Sequence, residues 1–307
     1  MHRIVLANLL LFLLTACACD RAAIKLEEGE TLMDARSGHV TQLAKTVRDS
    51  DTLGEPGSDL FSLVHYSSQV GDLAAWISKP VEAETKQPAM IWITGGFPPG
   101  GIDESAWMPA PSDNDQSATS YRESGMVMMY PTLRGCVGNP GQQEGFYGEV
   151  DDVIAAADYL RGIDHIDPKR IYLGGHSTGG TLVLLAAAAT DKFAGVISFG
   201  PVEDPFYYGP SDVMHASSTK EQQLRAPINF LSAITTPTLV IEGIGGNHDS
   251  LKALRRRDGG ANKNLTFLSV PGKDHFNVLA PANRAIAAKL ANHTPGEPIA
   301  ITADELR

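Results

Sequence analysis

The stretch from residue 170 to residue 188 constrains the fold of this 307-residue chain more than any other. It contains a short apolar run, Ile171–Leu173, then the pattern Gly-x-Ser-x-Gly centred on Ser177, then an alanine-rich run that favours a helix. A serine held by glycines between a strand and a helix adopts a strained turn that exposes its hydroxyl. The helix directs its N-terminus at that serine, so the backbone N–H of Thr178 can stabilise an oxyanion. The stretch therefore predicts a nucleophilic Ser177.

Apolar runs before and after this stretch predict an eight-stranded sheet. The first two runs flank a short glycine-containing turn at 69–72 and predict an antiparallel hairpin. From residue 89 onward, strand-like runs alternate with helical patterns such as 149–160 and 282–291, which is typical of a parallel sheet with helices on both faces. Besides the run before Ser177, the predicted strands are 60–66, 73–78, 89–94, 126–130, 194–200, 237–243 and 265–270.

A serine hydroxyl needs a base to activate it and a carboxylate to orient that base. His275 follows the last predicted strand and precedes the last predicted helix, where the base of such a fold is required. We expect the acid to be Asp249, in the loop after the strand 237–243. Glu242, at the end of that strand, and Asp204, after the preceding strand, are the alternatives.

A second oxyanion donor is expected from the loop after the strand 89–94. Gly96 is the leading candidate because its bare backbone can approach the substrate closely, and Phe97 is the alternative. No His-x-x-x-His pattern, paired cysteines or phosphate-binding loop is present, so we predict neither a metal nor another cofactor. The formal net charge of −11, without a basic face, argues against a nucleic-acid partner.

The N-terminus predicts an export signal. A basic start is followed by an apolar run, Ile4–Leu14, which is too short to span a bilayer as a helix. The run ends in Leu14–Cys17, which resembles the lipobox of bacterial lipoproteins, with cleavage before Cys17 and lipidation of its thiol. We expect an exported, lipid-anchored protein of the cell envelope that meets the membrane only through this anchor. A plain secretory signal is the alternative.

The expected organisation is a signal peptide at 1–16, a tether and N-terminal flap at 17–58, a catalytic domain at 59–295 and a C-terminal tail at 296–307. The flap contains one plausible amphipathic helix near 31–47. The segment 201–237 carries Phe206, Tyr207 and Tyr208. These side chains either shape an apolar pocket within a small cap over the site or pack under a surface loop.

Taken together, these residues resemble the alpha/beta hydrolase superfamily, and within it the catalytic domain of the prolyl oligopeptidase family, from about residue 88 to 293. The resemblance implies an alpha/beta-hydrolase fold with a small cap and a Ser–Asp–His triad. The chain departs from that family in having no room for a large N-terminal β-propeller and in its longer acid loop. The stretches that carry the resemblance are Trp92–Phe97, Leu133–Gly135, Gly148–Val153, the Ser177 turn, Arg225–Ile228 and Pro271–His275.

The expected activity is that of an exported serine hydrolase acting through an acyl-enzyme. Its substrates would be small-molecule esters first, and short peptides or amides second. A serine peptidase of prolyl oligopeptidase type, or a binding lipoprotein that keeps the fold without turnover, are the alternatives. The identity of the substrate and the oligomeric state stay open at this point.

Overall fold

The computed structural model describes residues 24, 26–81, 84–209, 212–215 and 217–306. Eight strands form one sheet in the order β1-β2-β4-β3-β5-β6-β7-β8. The pairs β1–β2 and β2–β4 are antiparallel, and the other neighbours are parallel, which confirms the predicted mostly parallel eight-stranded sheet. The strands are β1 Phe61–Ser68, β2 Gly71–Ser78, β3 Gln87–Ile93, β4 Val127–Pro131, β5 Ile166–His176, β6 Gly195–Phe199, β7 Thr238–Gly243 and β8 Leu265–Val270.

Helices cover both faces of the sheet, as the alternation of patterns predicts. Residues of α3, α4 and α6 belong to one apolar core, and residues of α2 and α7 belong to a second core on the opposite face. Every residue of α4 is buried, so this helix lies in the interior and carries no polar face. The helices are α1 Leu32–Arg36, α2 Thr119–Glu123, α3 Glu149–Arg161, α4 Thr178–Ala189, α5 Thr219–Gln223, α6 His248–Asp258 and α7 Leu279–Leu290.

The loop after β4 is fastened to α3 by a buried ion pair. The Arg134 guanidinium donates from Nε and Nη2 to the Asp152 carboxylate, both at 2.9 Å, and the Arg134 backbone N–H donates to the same group. A bidentate ion pair of this kind fixes the relative orientation of the two side chains as well as the distance between them. It gives a structural role to the arginine of the Arg–Gly stretch and to the second aspartate of the Val–Asp–Asp stretch.

The N-terminal segment differs from its prediction. The helix expected near 31–47 is only α1, which Thr31 begins with a capping box to Asp34. The Arg36 side chain leaves the helix to donate to the carbonyls of Phe146, Tyr147 and Leu224, and Gly38 follows with a φ of +71°. The chain then runs extended, because these tertiary contacts replace the helical ones.

Both ends of the described chain pack on the sheet. Ile24 and Leu26 contact the first core, within the segment predicted as a tether. Ile299, Ile301 and Leu306 are buried in the second core, within the segment predicted as a tail. The predicted signal peptide and the predicted lipidation site, Cys17, lie outside the described residues. In the described part of the chain, no helix has the length and apolar character needed to cross a membrane.

Helix α4 passes very close to the ends of two strands. A Cβ at Gly179 would lie 2.1 Å from the Ile93 carbonyl oxygen, and one at Gly180 would lie 2.3 Å from that of Phe199. Atoms cannot approach so closely, so both positions require glycine. The helix and the turn before it therefore pack directly against the sheet.

We expect Gly179→Ala to destabilise the fold by at least about 2 kcal/mol, because the added methyl meets backbone that cannot move aside. Gly54→Ala is the matched control, since that glycine is exposed with open space around it, and we expect a change within about 0.5 kcal/mol. Urea unfolding followed by circular dichroism measures both values. Equal stability of the two variants would contradict the packing described above.

Candidate active site

Three candidate side chains lie at the carboxyl edge of the parallel strands. Ser177 lies between β5 and α4, Glu242 is near the end of β7, and His275 is in the loop between β8 and α7. This edge is where open α/β sheets place their ligands. Residues separated by about a hundred positions in sequence are therefore neighbours in space.

Ser177 has the strained backbone expected of the turn. Its φ of 57° and ψ of −118° lie outside the regions that residues with a Cβ prefer, at a cost on the order of 1–3 kcal/mol. The backbone holds it there: the Ser177 N–H donates to the Phe199 carbonyl at 2.8 Å, and its own carbonyl accepts from the Thr181 N–H at 3.0 Å. A Cβ at Gly95 would lie 3.0 Å from the Ser177 Cβ, so the loop after β3 borders the serine directly.

His275 is paired with Glu242. Its Nδ1 lies 2.8 Å from Oε2 of Glu242, a carboxylate with no exposed surface. The backbone N–H groups of Gly243 and Asn247 also donate to this carboxylate, at 2.7 and 3.0 Å. Gly200 makes room for the pair, since a Cβ there would lie 2.5 Å from the imidazole. This geometry orients the Nε2 side of His275 away from the acid.

The structure corrects the expected acid, Asp249. Helix α6 begins at His248, and its first turn directs the Asp249 side chain to solvent, where it is 96% exposed and pairs with Lys252. That pairing lowers the pKa of Asp249. The third candidate, Asp204, accepts from the Phe206 N–H as the cap of a 3₁₀ turn. Of the three candidates, Glu242 alone contacts the imidazole, because the loop turns too tightly after β7 for Asp249 to reach back.

The two predicted oxyanion residues are tied to each other. The Thr178 hydroxyl donates to the Gly96 carbonyl at 2.6 Å, which fixes the loop after β3 against the start of α4. The Thr178 N–H belongs to the first turn of the helix and has no acceptor within the helix itself. Gly96 has a φ of +114°, which a residue with a side chain rarely adopts. Both backbones thus border the space beside Ser177.

Tyr208 is a site residue that the sequence indicated only as part of a cap. Its hydroxyl lies 2.8 Å from the hydroxyl of Thr181, the residue whose N–H donates to the Ser177 carbonyl. Burial raises the pKa of Tyr208, so the phenol keeps its proton at neutral pH. The cap therefore places a phenol against the first turn of α4, next to the serine turn.

Aromatic rings extend from Tyr208 to form a wall beside the nucleophile. The ring of Phe97 packs edge-on against Tyr208 at 5.4 Å between centroids, and the Phe146 ring stacks on Tyr208 at 6.1 Å. A cavity of about 600 Å³ opens against Phe97 and Tyr208. Tyr207 is largely exposed and Met214 is buried in the first core, so only part of the cap's apolar surface faces the site.

His176 is a site residue that the sequence analysis does not single out, because nothing in the serine turn distinguishes it from its neighbours. Its ring lies 4.5 Å from that of His275, between centroids, and its Nε2 donates to the His275 carbonyl at 3.0 Å. The other nitrogen, Nδ1, is buried and contacts no hydrogen-bond partner in the described part of the chain. Burial, together with the charge of His275, lowers the pKa of His176 to about 3. His176 therefore supports the loop of His275 as a neutral ring.

We expect His176 to make stability depend on pH in a definite direction. The pKa of His176 is lower in the folded chain than the ordinary 6.5. Below pH 6.5, the His176 side chain is therefore protonated in the unfolded chain but stays neutral in the folded chain. His176→Gln keeps an N–H donor at the same reach and does not titrate. The stability of the wild type relative to this variant should fall by up to about 1.4 kcal/mol per pH unit between pH 6 and 4.

Urea unfolding of both proteins at pH 7.5, 6, 5 and 4 measures this difference. A difference that stays constant across the series would mean that His176 accepts a proton in the folded state. His165→Gln serves as the control, because that histidine directly precedes β5, at the opposite end of the strand from Ser177.

Burial raises the pKa of Cys136 to about 12, so its thiol stays protonated. Among the residues that the structure describes, no group of three or more His, Cys, Asp or Glu side chains is arranged to hold a metal ion.

The fold and the site define the class. An eight-stranded, mostly parallel sheet with a strained serine before its central helix, and a buried carboxylate on a histidine at the same edge, is the arrangement of the alpha/beta hydrolases. The profile of the prolyl oligopeptidase family matches residues 114–288, more than half of the chain, so the chain belongs to the prolyl oligopeptidase family.

Individual relatives are more distant. The chain is 41% identical over 81 residues to the quorum-quenching protein AidA of Acinetobacter baumannii, covering 26% of this chain and 27% of that one. It is 26% identical over 203 residues to the uncharacterized peptidase YuxL of Bacillus subtilis, covering 59% and 29%. The chain thus spans less than a third of either relative. Among solved structures, a 2,6-dihydroxy-pseudo-oxynicotine hydrolase superposes with a TM-score of 0.56 at 18% identity, covering 76% of this chain and 67% of that one.

Proposed function

We propose that this protein is a serine hydrolase that cleaves ester bonds through an acyl-enzyme, with Ser177, His275 and Glu242 as its triad. The observation that carries the proposal is the buried 2.8 Å contact of His275 Nδ1 with Glu242, beside a serine strained at a helix N-terminus. Membership of the prolyl oligopeptidase family supports hydrolysis by a serine nucleophile. Glu242 takes the place that the sequence assigned to Asp249.

The geometry supports a two-step reaction. His275 Nε2 accepts the Ser177 proton as the Ser177 Oγ bonds to the substrate carbonyl carbon, while Glu242 stabilises the imidazolium at Nδ1. The carbonyl oxygen becomes negative and is stabilised by the backbone N–H groups of Thr178 and Gly96. His275 then returns the proton to the leaving alcohol as the C–O bond breaks. A water molecule repeats the sequence on the acyl-enzyme and releases the acid.

Peptide or amide cleavage is the alternative substrate class. Its support is the likeness to YuxL, described as a peptidase, and the same triad serves both bonds. The apolar wall of Phe97 and Tyr208 favours a substrate recognised by its acyl group, which suits a simple ester. A panel of p-nitrophenyl esters and aminoacyl p-nitroanilides separates the two classes by their kcat/KM values.

We predict that Ser177 is the residue labelled by a fluorophosphonate, and that Ser177→Ala abolishes the labelling. The variant should keep the wild-type circular dichroism spectrum and lose kcat by roughly 10⁴ to 10⁶-fold, since the nucleophile is removed while the fold remains. Peptide mapping by mass spectrometry locates the label. Turnover by Ser177→Ala at the wild-type rate would overturn the mechanism.

The acid is tested by a matched pair of substitutions. Glu242→Gln should lower kcat by about 10³ to 10⁴-fold, because the imidazole loses its orienting charge while the side chain keeps its size. Asp249→Asn should change kcat by less than about 2-fold, because that side chain is exposed and contacts only Lys252. A larger loss in Asp249→Asn than in Glu242→Gln would restore Asp249 as the acid.

We also propose that the protein is exported and held at the cell envelope through acyl chains on Cys17. The support is the lipobox-like Leu14–Cys17 after a short apolar run. In cells fed labelled palmitate, the wild type should carry label in the membrane fraction, because several acyl chains suffice for stable anchoring. The Cys17→Ser variant should carry none. An unlabelled, freely soluble wild type would indicate an ordinary secreted enzyme.

A further inference from the structure

The cavity beside the nucleophile has a wall that belongs to neither the sheet nor the cap. Its volume of about 600 Å³ is within the range, roughly 300–1,000 Å³, of sites that bind small molecules. We use the name strap for residues 39–49, the extended segment after α1. The cavity is lined by Val47 of the strap and by Phe97, Pro98, Gln143, Tyr208, Gly209, Asp212 and Val213.

The strap is hydrogen-bonded on both sides of Val47. On one side, the Ala44 N–H donates to the Val213 carbonyl at 2.9 Å. On the other, the Asp49 N–H donates to the Gly135 carbonyl at 2.8 Å. The Val47 carbonyl itself accepts from the Gln143 N–H at 3.0 Å. Val47 is therefore held at a defined position and cannot swing out of the cavity without breaking main-chain bonds.

The first part of the strap is also fastened to the cap by a buried acid. Glu221, in α5, has no exposed surface and accepts from the Thr41 hydroxyl and from the Gln42 N–H. The His39 ring and the fully buried Arg225 pair with the same carboxylate. Without the strap, the buried Glu221 carboxylate would lose several of its hydrogen-bond donors, which would destabilise the fold. The strap is therefore an integral part of the structure around the cavity.

The cavity has both an apolar and a polar lining. The rings of Phe97 and Tyr208, which pack on each other, and the side chains of Val47 and Val213 supply the apolar part. At the rim, the exposed Lys45 ammonium pairs with Asp212 at 2.7 Å. An acyl group that stays among the rings and valines is stabilised by burial, whereas one that reaches the ion pair is not.

We propose that Val47 determines the acyl specificity of the enzyme by limiting the size of this cavity, so that the site selects apolar acyl groups of limited length. The proposal rests on the proposed function, because it assigns the acyl side of the substrate to the cavity that begins at Tyr208. It adds a residue from outside the sheet and the cap to the determinants of substrate choice.

The test is the ratio of kcat/KM for p-nitrophenyl octanoate to that for p-nitrophenyl acetate. Val47→Trp should lower this ratio at least about 10-fold, since only the longer acyl group needs the space that the indole fills. Val47→Ala should shift the preferred chain length upward, in a series from two to twelve carbons. Val40→Trp is the control, because Val40 lies in the same strap and is 83% exposed.

Labelling with two fluorophosphonates, one bearing a methyl and one an octyl group on phosphorus, separates the outcomes. If the methyl probe labels Ser177 in every variant, and Val47→Trp slows only the octyl probe, the proposal holds. If the methyl probe labels Ser177 and the octyl rate is the same in wild type and Val47→Trp, the role of Val47 is overturned and the proposed function stands. If the wild type takes neither probe and hydrolyses no ester, the proposed function is overturned and this proposal with it.

Discussion

The contact of the α4 backbone with the ends of β3 and β6 is the constraint on which the site depends. Gly179 and Gly180 bring the helix so close to the carbonyls of Ile93 and Phe199 that the chain has no relaxed path from β5 into α4. Ser177 accommodates this close approach by adopting a strained backbone conformation with a positive φ. The same approach aims the first N–H groups of a fully buried helix at the space beside the serine hydroxyl. The strain at Ser177 and the orientation of the proposed oxyanion donors therefore have one physical origin.

Around this turn, the charged side chains are stabilised by hydrogen bonds and by their neighbours. Burying the Glu242 carboxylate is costly unless its oxygens are hydrogen-bonded, and the chain supplies two backbone N–H groups together with the imidazole of His275. His176 packs against His275 and remains neutral, so the paired rings need to carry only one positive charge when His275 accepts a proton. The base is thus held by an acid on one side and an uncharged ring on the other.

The periphery of the site comes from segments that the sheet does not specify. The cap supplies Tyr208, and the strap supplies Val47. Buried ionic contacts of Glu221 with Arg225 and His39 join the two segments. A chemical centre on a rigid sheet, with selectivity contributed by loops packed over it, is a common division of roles in enzymes. It lets the sheet keep the geometry of catalysis while the surrounding segments set the shape of the cavity.

The sequence by itself determined the eight strands, the central helix and the positions of Ser177 and His275, because apolar periodicity and glycine-flanked turns act over a few residues. Which acid meets His275 was decided only by the tertiary structure, since it depends on how the loops after β7 and β8 lie against each other. There the first turn of α6 carries Asp249 into solvent, and Glu242 is buried against the imidazole. The strap is extended rather than helical for the same kind of reason: the acceptors of Arg36 lie more than a hundred residues away in the chain.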